Sequence, residues 1–204
     1  MRALLVLVLA CGAALTAASG GLAGQPVAQN LVPPPPSFET CKAVAAGTLC
    51  EGSISSSYGP IDATIYEGFP ACSSGTHVFD SANENEVARR VYDANGFLVR
   101  RDRHDRYVGQ LSNPAAGTAL PYTNVQEITD ELAVPGDLRS ATTTITGEMH
   151  ISSPDRGAPV LIGAGGLTLA PDGTVESQSG PSGFLDLILG NPAAAGPICT
   201  ALER

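Results

Sequence analysis

The chain is poor in aromatic and in basic side chains. Its 204 residues include no tryptophan, the aromatic fraction is 5%, and 11 Lys and Arg residues are set against 20 Asp and Glu residues. Because sugar-binding modules stack sugars on exposed rings, the scarcity of rings counts against a carbohydrate-binding role. The formal net charge of −9 repels phosphate backbones, so we do not expect nucleic acid as a partner.

Familiar catalytic and metal-binding motifs are also missing from the sequence. The chain has no Gly-x-Ser-x-Gly elbow, no P-loop and no His-Glu-x-x-His pair, so the usual secreted hydrolases and zinc proteases lose support. It has no Cys-x-x-Cys pair, and its three histidines show no metal-ligand spacing. We therefore predict no cofactor and no metal site.

What the N-terminus does have is the composition of an export signal. Arg2 is followed by an apolar stretch from Ala3 to Leu15 and then by small residues. This order predicts a secretory signal peptide over residues 1–23. The apolar stretch is shorter than the roughly 20 residues of a membrane-spanning helix, and no second stretch of that length follows. We therefore expect a secreted, extracellular protein without a membrane span; a membrane anchor and a lipoprotein processed at Cys11 are the alternatives.

A proline-rich segment follows the predicted signal. Residues 24–40 include four consecutive prolines, Pro33 to Pro36, which favour a stiff polyproline II conformation. We interpret this segment as a tether. The remainder, residues 41–204, is long enough to form one domain with its own core.

Turn signals punctuate that domain at short intervals, and the runs between them have the length and composition of strands. The clearest run, Ala141 to Ser152, alternates apolar and polar residues. We also predict a strand over Ser81 to Tyr92, with a short solvated helix as the alternative. Four small residues, Gly163 to Gly166, suggest a bulge or a tight corner between two short strands, and no convincing long amphipathic helix is apparent. These patterns predict an all-β domain, a single antiparallel β-barrel, with a β-sandwich as the alternative. The turn signals are Tyr58–Pro60, Asp93–Gly96, Asn113–Gly117, Pro135–Asp137, Pro154–Gly157, Pro171–Gly173 and Gly180–Gly183.

Four cysteines remain once the predicted signal is removed: Cys41, Cys50, Cys72 and Cys199. An even number in an exported protein indicates disulfides, although four cysteines allow three pairings. Local pairing favours Cys41 with Cys50, and this leaves Cys72 with Cys199. A zinc site is the alternative, disfavoured by the spacing and by export. We therefore predict a domain stapled by two disulfides.

The densest polar segment runs from Arg100 to Tyr107, and both of its faces are charged when it is drawn as a strand. A strand of a simple sandwich has one apolar face, so this segment needs a different explanation. One face carries Arg100, Asp102, His104 and Arg106. The other face carries Arg101, Arg103, Asp105 and Tyr107.

Two explanations of this segment remain open. If one face lines a barrel cavity, Asp102, His104 and Tyr107 are the candidate catalytic residues, since a carboxylate beside a histidine can act as an acid–base pair near neutral pH. Arg101 and Arg103 are then candidate ligand-binding residues, because guanidinium groups hold carboxylates through two hydrogen bonds. In the alternative, the segment is an exposed edge strand or hairpin whose charges pair across strands and prevent aggregation.

Several of the turn motifs carry a resemblance to a known group. With Val91-Tyr92-Asp93 and Gly96, Ser112-Asn113 followed by Gly117, and Pro171-Asp172-Gly173 with Gly180-Pro181, the chain resembles secreted actinobacterial-type all-β proteins of unknown function. The resemblance covers most of residues 75–183 and implies no activity and no functional residue. More distantly, the chain is similar in fold type to lipocalin-type and allene-oxide-cyclase-type barrels, which implies a barrel and fixes no chemistry.

From these observations we expect a non-catalytic extracellular protein that binds a small-molecule ligand or a cell-surface partner. The alternative is an enzyme, an isomerase, cyclase or hydrolase, that uses a polar cluster around Asp102 and His104 inside the barrel. The position of His104 discriminates between the two, since an exposed His104 removes the basis of the enzyme interpretation.

Overall fold

Eight antiparallel strands form one sheet in the computed structural model of the chain. The structure describes residues 30–66, 69, 72–153, 159–180 and 183–204. The predicted signal peptide, the predicted tether up to residue 29, the predicted turn at 154–157 and part of the one at 180–183 lie outside the described residues. The strands are β1 (Glu39–Val44), β2 (Gly47–Asp62), β3 (Phe79–Tyr92), β4 (Leu98–Asn113), β5 (Thr118–Leu132), β6 (Ala141–Ser152), β7 (Pro159–Leu169) and β8 (Val175–Ser179).

Each strand pairs with the next along the chain, so the sheet is a continuous meander from β1 to β8. Short turns produce this order, because they return the chain directly alongside itself. In the described part of the chain β1 and β8 are the two edges, and the ladder does not close on itself. The prediction of an all-β antiparallel domain is therefore confirmed, including the strand predicted over Ser81 to Tyr92, whereas the choice between barrel and sandwich stays a prediction.

Two of the predicted turns have a different role. Gly59 and Pro60 lie inside β2, where the register with β3 shifts between Tyr58 and Ile61, so they form a bulge and not a chain reversal. The glycines from Gly163 to Gly166 lie within the uninterrupted strand β7 and pair regularly with β6. The prediction of a bulge or a corner there was wrong. A side chain at Gly165 would collide with Ser179 and Leu185, so these glycines allow close approach and not a bend.

The chain also contains helices that the sequence patterns did not predict, and the longest described one has 11 residues. The elements are α1 (Ala63–Tyr66), a 3₁₀ helix (Leu138–Ser140), α2 (Gly183–Ile188) and α3 (Pro192–Leu202). Helix α3 begins with an Asn191 side chain that accepts from the Ala193 backbone N–H and has Pro192 in its first turn. Its buried residues, Ala195, Ile198, Cys199 and Leu202, follow the spacing of one helical face. Among the described residues, no helix is long and apolar enough to span a bilayer.

Both predicted disulfides are present. Cys41 and Cys50 face each other across the β1–β2 ladder, and their bond closes a loop of sequence separation 9. Cys72 and Cys199 join the segment before β3 to helix α3 over a separation of 127. The alternative zinc site is thereby excluded for these four cysteines.

The residues of the predicted tether that the structure describes lie against the domain. Val32 bridges to Phe97 and exchanges backbone hydrogen bonds with Gly96 and Leu98 at 2.9 Å each. The Tyr92 hydroxyl donates to the carbonyl of Pro33 at 2.9 Å. The last residues of the segment belong to the sheet, since β1 begins at Glu39.

The described residues of the inner face form three apolar clusters, of which the smallest centres on Leu167 and Leu185. Charged residues lie between the other two, which define two regions of the face. We call the first region the hairpin end; it contains the Cys41–Cys50 bond and a cluster of Cys50, Tyr92, Leu98, Leu132 and Ala141. We call the second region the helix end; its cluster includes Val78, Leu111, Leu120, Ile151 and the buried residues of α3. The strand pairing makes the sheet eight strands wide at the hairpin end and six strands wide at the helix end, because β1 and β8 both pair near the hairpin end.

Candidate ligand-binding cavity

Strand β4 divides the predicted site residues between its two faces. The strand alternation places Asp102 and His104 outside and Arg101, Arg103 and Tyr107 inside. Asp102, His104 and Tyr107 are therefore not brought together. The two faces were assigned correctly as sets, but a single catalytic group cannot be built from both of them.

His104 lies on the outer face with 51% of its side chain exposed, and its Nδ1 is 3.7 Å from a carboxylate oxygen of Glu127 on β5. The Asp102 carboxylate accepts from Arg100 Nε at 2.9 Å and from the Thr129 hydroxyl at 3.0 Å. Both candidates are thus engaged by neighbours on the outer face. This placement corrects the hypothesis of an acid–base pair inside the fold. Residues two apart on a strand point to the same face, so Asp102 and His104 both lie on the solvent side of the sheet.

The two predicted ligand-binding arginines face inward but already have anionic neighbours. Arg101 donates from Nε to Asp130 Oδ2 at 2.7 Å, and its Nη2 lies 2.6 Å from the same oxygen. The Arg103 Nη1 atom lies 3.9 Å from Asp105 Oδ2. The guanidinium of Arg101 therefore serves the structure of the sheet, and neither arginine lines the cavity described next.

A cavity of about 260 Å³ opens on the inner face at the helix end. Strands β2 to β6 supply its floor and wall, and α2 covers one side. Tyr107 is the predicted site residue that lines it. The described lining residues are Tyr58, Phe69, Asp80, Tyr107, Leu111, Tyr122, Asn124, Gln126, Met149 and Leu187.

Asp80 organises the polar side of this cavity. Its side chain belongs to a residue that is 3% exposed, and its Oδ2 accepts from the hydroxyls of Tyr58 at 2.8 Å and Tyr122 at 3.1 Å. The third tyrosine, Tyr107, donates its hydroxyl to Glu84 Oε1 at 2.8 Å. The rings are fixed by these bonds, and the phenol oxygens point to carboxylates.

Gly109 on β4 explains how the Tyr122 ring fits. A Cβ at Gly109 would lie 2.8 Å from the Tyr122 ring and 2.5 Å from the Ser81 carbonyl oxygen. The missing side chain leaves the space that the ring occupies, directly across the ladder from Tyr122. A larger residue at this position would push the ring away from Asp80.

Burial raises the pKa of two of the cavity tyrosines, Tyr107 and Tyr122. The pKa of Tyr107 is raised well above its ordinary value, mainly by removal from water and secondly by the hydrogen bond to Glu84. Removal from water, followed by hydrogen bonding with Tyr58, raises the pKa of Tyr122 in the same way. At neutral pH these groups are therefore hydrogen-bond donors and not bases.

Two buried oxygen atoms beside the cavity have no hydrogen-bond partner: Asp80 Oδ1 and Asn124 Oδ1. Both residues line the cavity, and both are more than nine-tenths buried. A buried acceptor without a donor costs about 1 to 3 kcal/mol, and a charged one costs more. Two of the residues that line the cavity therefore carry an unused acceptor, to which a bound molecule could supply a donor.

A group of three carboxylates adjoins the cavity. Ligand atoms of Glu84, Glu86 and Asp105 lie within 4.8 Å of one another, a spacing that a divalent cation could bridge. Arg103 already approaches Asp105, and the Ser56 hydroxyl donates to Glu84 at 3.0 Å. The prediction of no metal site stays a prediction.

The sequence interpretation missed Asp80, Tyr58, Tyr122 and Asn124. Leu111 fixes which face of β4 is inner, and the register then carries that face to Asp80 on β3 and Leu120 on β5. A sequence signal for the site therefore existed, because Tyr107 and Tyr122 are an even number of residues from a buried leucine on the same strand and so share its inner face. It becomes usable only when the register is known.

Comparison with known protein families, with curated proteins and with solved structures finds no match to this chain. The likeness to secreted actinobacterial-type proteins and to lipocalin-type or allene-oxide-cyclase-type barrels therefore stays a prediction.

Proposed function

We propose that the protein is a secreted, non-catalytic binding protein that holds a small molecule in the cavity at the helix end. The observation that carries this proposal is the pair of unpartnered buried acceptors, Asp80 Oδ1 and Asn124 Oδ1, beside about 260 Å³ of space. A binding pocket combines apolar walls with a few convergent polar groups, and this cavity has both. Its volume lies just below the usual range of about 300 to 1,000 Å³, so we expect a ligand smaller than a typical drug molecule.

The chemistry of the described lining residues favours binding over catalysis. Asp80 is engaged by two phenol hydroxyls, and the raised pKa of Tyr107 and of Tyr122 keeps both phenols protonated. Groups of this kind orient a ligand but are poorly suited to take up a proton at neutral pH. The two disulfides are compatible with an oxidising, extracellular compartment.

We also infer a barrel-like and not a sandwich-like architecture. A sandwich needs a second sheet packed against the inner face of the first. In this chain α2 and α3, with the Cys72–Cys199 bond, cover the helix end of that face instead. The cavity then lies in the mouth of a cup, which is a common position for small-ligand sites.

A fragment screen by nuclear magnetic resonance tests the proposed function. Amide shift changes should cluster on strands β3 to β6 at the helix end, and they should disappear in a Met149→Trp variant, whose indole fills the cavity. The matched control is His150→Trp on the adjacent, outward-facing position, which should leave the shifts unchanged. Fragment contacts that are scattered over the surface, or that survive Met149→Trp, would overturn the proposal.

A further inference from the structure

We infer that the cavity binds a protonated organic amine with an apolar body. This inference rests on the proposed small-ligand function and names the ligand class. It is based on the charge and partners of Asp80, the aromatic lining and the positions of nearby carboxylates.

The charge of Asp80 has no cation beside it among the described lining residues. Asp80 is the one carboxylate in that lining, and the described lining contains no Lys, Arg or His. Its hydrogen-bond partners are two phenols, which satisfy Oδ2 and leave Oδ1 without a donor. A buried carboxylate is normally paired with a positive group, so the position next to Oδ1 suits an ammonium N–H.

The rings around Asp80 also suit a cation. Tyr58, Tyr107, Tyr122 and Phe69 line the same cavity, and an ammonium group over an aromatic face is attracted by the ring quadrupole. The tyrosine hydroxyls donate to carboxylates, which increases the electron density of the rings. Phenols that donated instead to the ligand would favour an anion, but here the described hydroxyl bonds run to Asp80 and Glu84.

The other charged side chains of the inner face that lie nearest the cavity are negative, like Asp80. Moving along β3 and β4 away from Asp80, the register meets Glu84 first and then Glu86 opposite Asp105. The arginines come later: Arg103 opposite Ala88, followed by Arg101 opposite Arg90. Negative charge therefore lies closer to the cavity than positive charge does. Because Coulomb energy falls with distance, the attraction of a bound cation to the carboxylates exceeds its repulsion by the arginines.

The rest of the lining defines the other half of the ligand. Leu111, Met149 and Leu187 present apolar side chains to the cavity. Asn124 offers a second acceptor, which favours an amine with more than one N–H over a quaternary ammonium group. A primary amine on a short hydrocarbon chain meets each of these conditions.

Calorimetric titration at pH 7 with three six-carbon probes tests the inference. n-Hexylamine is protonated at this pH, 1-hexanol is neutral and hexanoate is an anion. We expect hexylamine to bind at least tenfold more tightly than hexanol, and hexanoate more weakly than hexanol. Equal affinity for hexylamine and hexanol, or a preference for hexanoate, would overturn the inference.

An Asp80→Asn variant tests the residue responsible. It keeps an oxygen that can accept from the two phenols but removes the charge, so hexylamine affinity should fall at least tenfold while hexanol affinity stays the same. The matched control Glu176→Gln removes one charge from the exposed strand β8 and should change neither affinity. Unchanged hexylamine affinity in a folded Asp80→Asn protein would contradict the inference, and if that variant does not fold, the three-probe comparison on the unaltered chain decides.

Failure of this inference is distinguishable from failure of the proposed function. If Met149→Trp abolishes binding of all three probes but the unaltered chain does not prefer the amine, the cavity is a binding site and the ligand class is wrong. If hexylamine binds Met149→Trp as tightly as the unaltered chain, the cavity is not the site, and both proposals fail.

Discussion

The two ends of the inner face bury their carboxylates in opposite ways. At the hairpin end, the fully buried Glu39 side chain accepts from Arg90 Nε at 2.8 Å. The Asp130 side chain, on β5, is 5% exposed, and its Oδ2 lies 2.6 Å from Arg101 Nη2. Both of these carboxylates have a guanidinium partner from the chain itself, and Glu39 Oε2 is left without a hydrogen-bond partner.

At the helix end, Asp80 is equally buried but is held by the hydroxyls of Tyr58 and Tyr122. The space beside it is a cavity and not a side chain. The difference is that both carboxylates of the hairpin end have a guanidinium partner within the chain, whereas Asp80 has no cation among the described lining residues of the cavity. The proposed amine would supply that positive partner. Under the proposed function, a buried carboxylate stabilises the fold at one end and binds the ligand at the other.

The largest predicted contrast between the ends concerns their disulfides. Replacing both Cys72 and Cys199 by Ala should lower the free energy of unfolding by about 5 kcal/mol, because the chain-entropy cost grows with a loop separation of 127. Replacing Cys41 and Cys50 by Ala should cost about 2.5 kcal/mol, because the separation is only 9. Urea unfolding monitored by circular dichroism measures both. Equal losses would show that loop length does not set the contribution of either bond.

Breaking the Arg90–Glu39 ion pair of the hairpin end should give the next largest loss in the free energy of unfolding. Arg90→Ala leaves the buried Glu39 carboxylate without its cation and should lower the free energy of unfolding by about 3 kcal/mol. The matched control is the neighbouring residue Arg89, which faces outward and lies 3.6 Å from Glu51 with 54% of its side chain exposed. Arg89→Ala should cost less than about 1 kcal/mol in the same urea experiment. A similar loss for both variants would remove the distinction between the two faces of β3.

A pair of carboxylate-to-amide changes compares the ends directly. Asp130→Asn removes the anion that meets Arg101 and should cost about 2 kcal/mol. Asp80→Asn should cost less than about 1 kcal/mol, since no described arginine depends on Asp80 and the amide oxygen still accepts from the tyrosines. Thermal unfolding of the two variants, without ligand, checks the order. A greater loss for Asp80→Asn would mean that Asp80 already has a positive partner in the protein.

Asp105 lies between the two ends and gives the smallest effect, with a defined pH dependence. Burial, only partly offset by Arg103, raises the pKa of Asp105 above its ordinary value. The folded state therefore binds this proton more readily than the unfolded state, and stability falls as pH rises from about 4 through the raised folded pKa. Asp105→Asn removes this loss, so at pH 7 the variant should be more stable by roughly 1 kcal/mol, and the difference should vanish below about pH 4.

Asp137→Asn is the control for that pH profile. Hydrogen bonds from Arg139 lower the pKa of Asp137, so its contribution to stability is present above its unfolded pKa and is lost as pH falls through the folded pKa. The two variants should therefore differ from the unaltered chain with opposite signs at neutral pH. Urea midpoints measured between pH 3 and pH 8 would contradict the assignment if both differences had the same sign.

Parts of the fold were predictable because they depend on local information. The period of two in Ala141 to Ser152 predicted β6, and the short separation between Cys41 and Cys50 predicted the first bond, which left the second. Helix α3 was missed because its run of small residues, Ala193 to Gly196, carries little pattern until Ile198 and Leu202 are seen to be buried. The glycines of β7 were misread for the same reason, since only the neighbouring strand and helix show what they accommodate.

The site was less predictable than the fold. Tyr107 was identified, but Asp80 binds tyrosines that lie 22 and 42 residues away along the chain, on β2 and β5. His104 was selected because a histidine between aspartates suggests chemistry, and strand parity then placed it outside. Residue types suggested the candidate residues, but only the strand pairing showed which of them face the cavity.

By itself the sequence determined most of the strand pattern and the two sets of side chains on β4, and it favoured the observed pairing of the cysteines without fixing it. These follow from alternation, turn chemistry and short contour distance, which are properties of the local chain. Only the tertiary structure decided which set faces inward and that Asp80, Tyr58 and Tyr122 meet at one cavity. The physical reason is that both faces of β4 are charged, so hydrophobicity could not choose between them, and the choice came from partners such as Asp130 and Leu120 on a neighbouring strand.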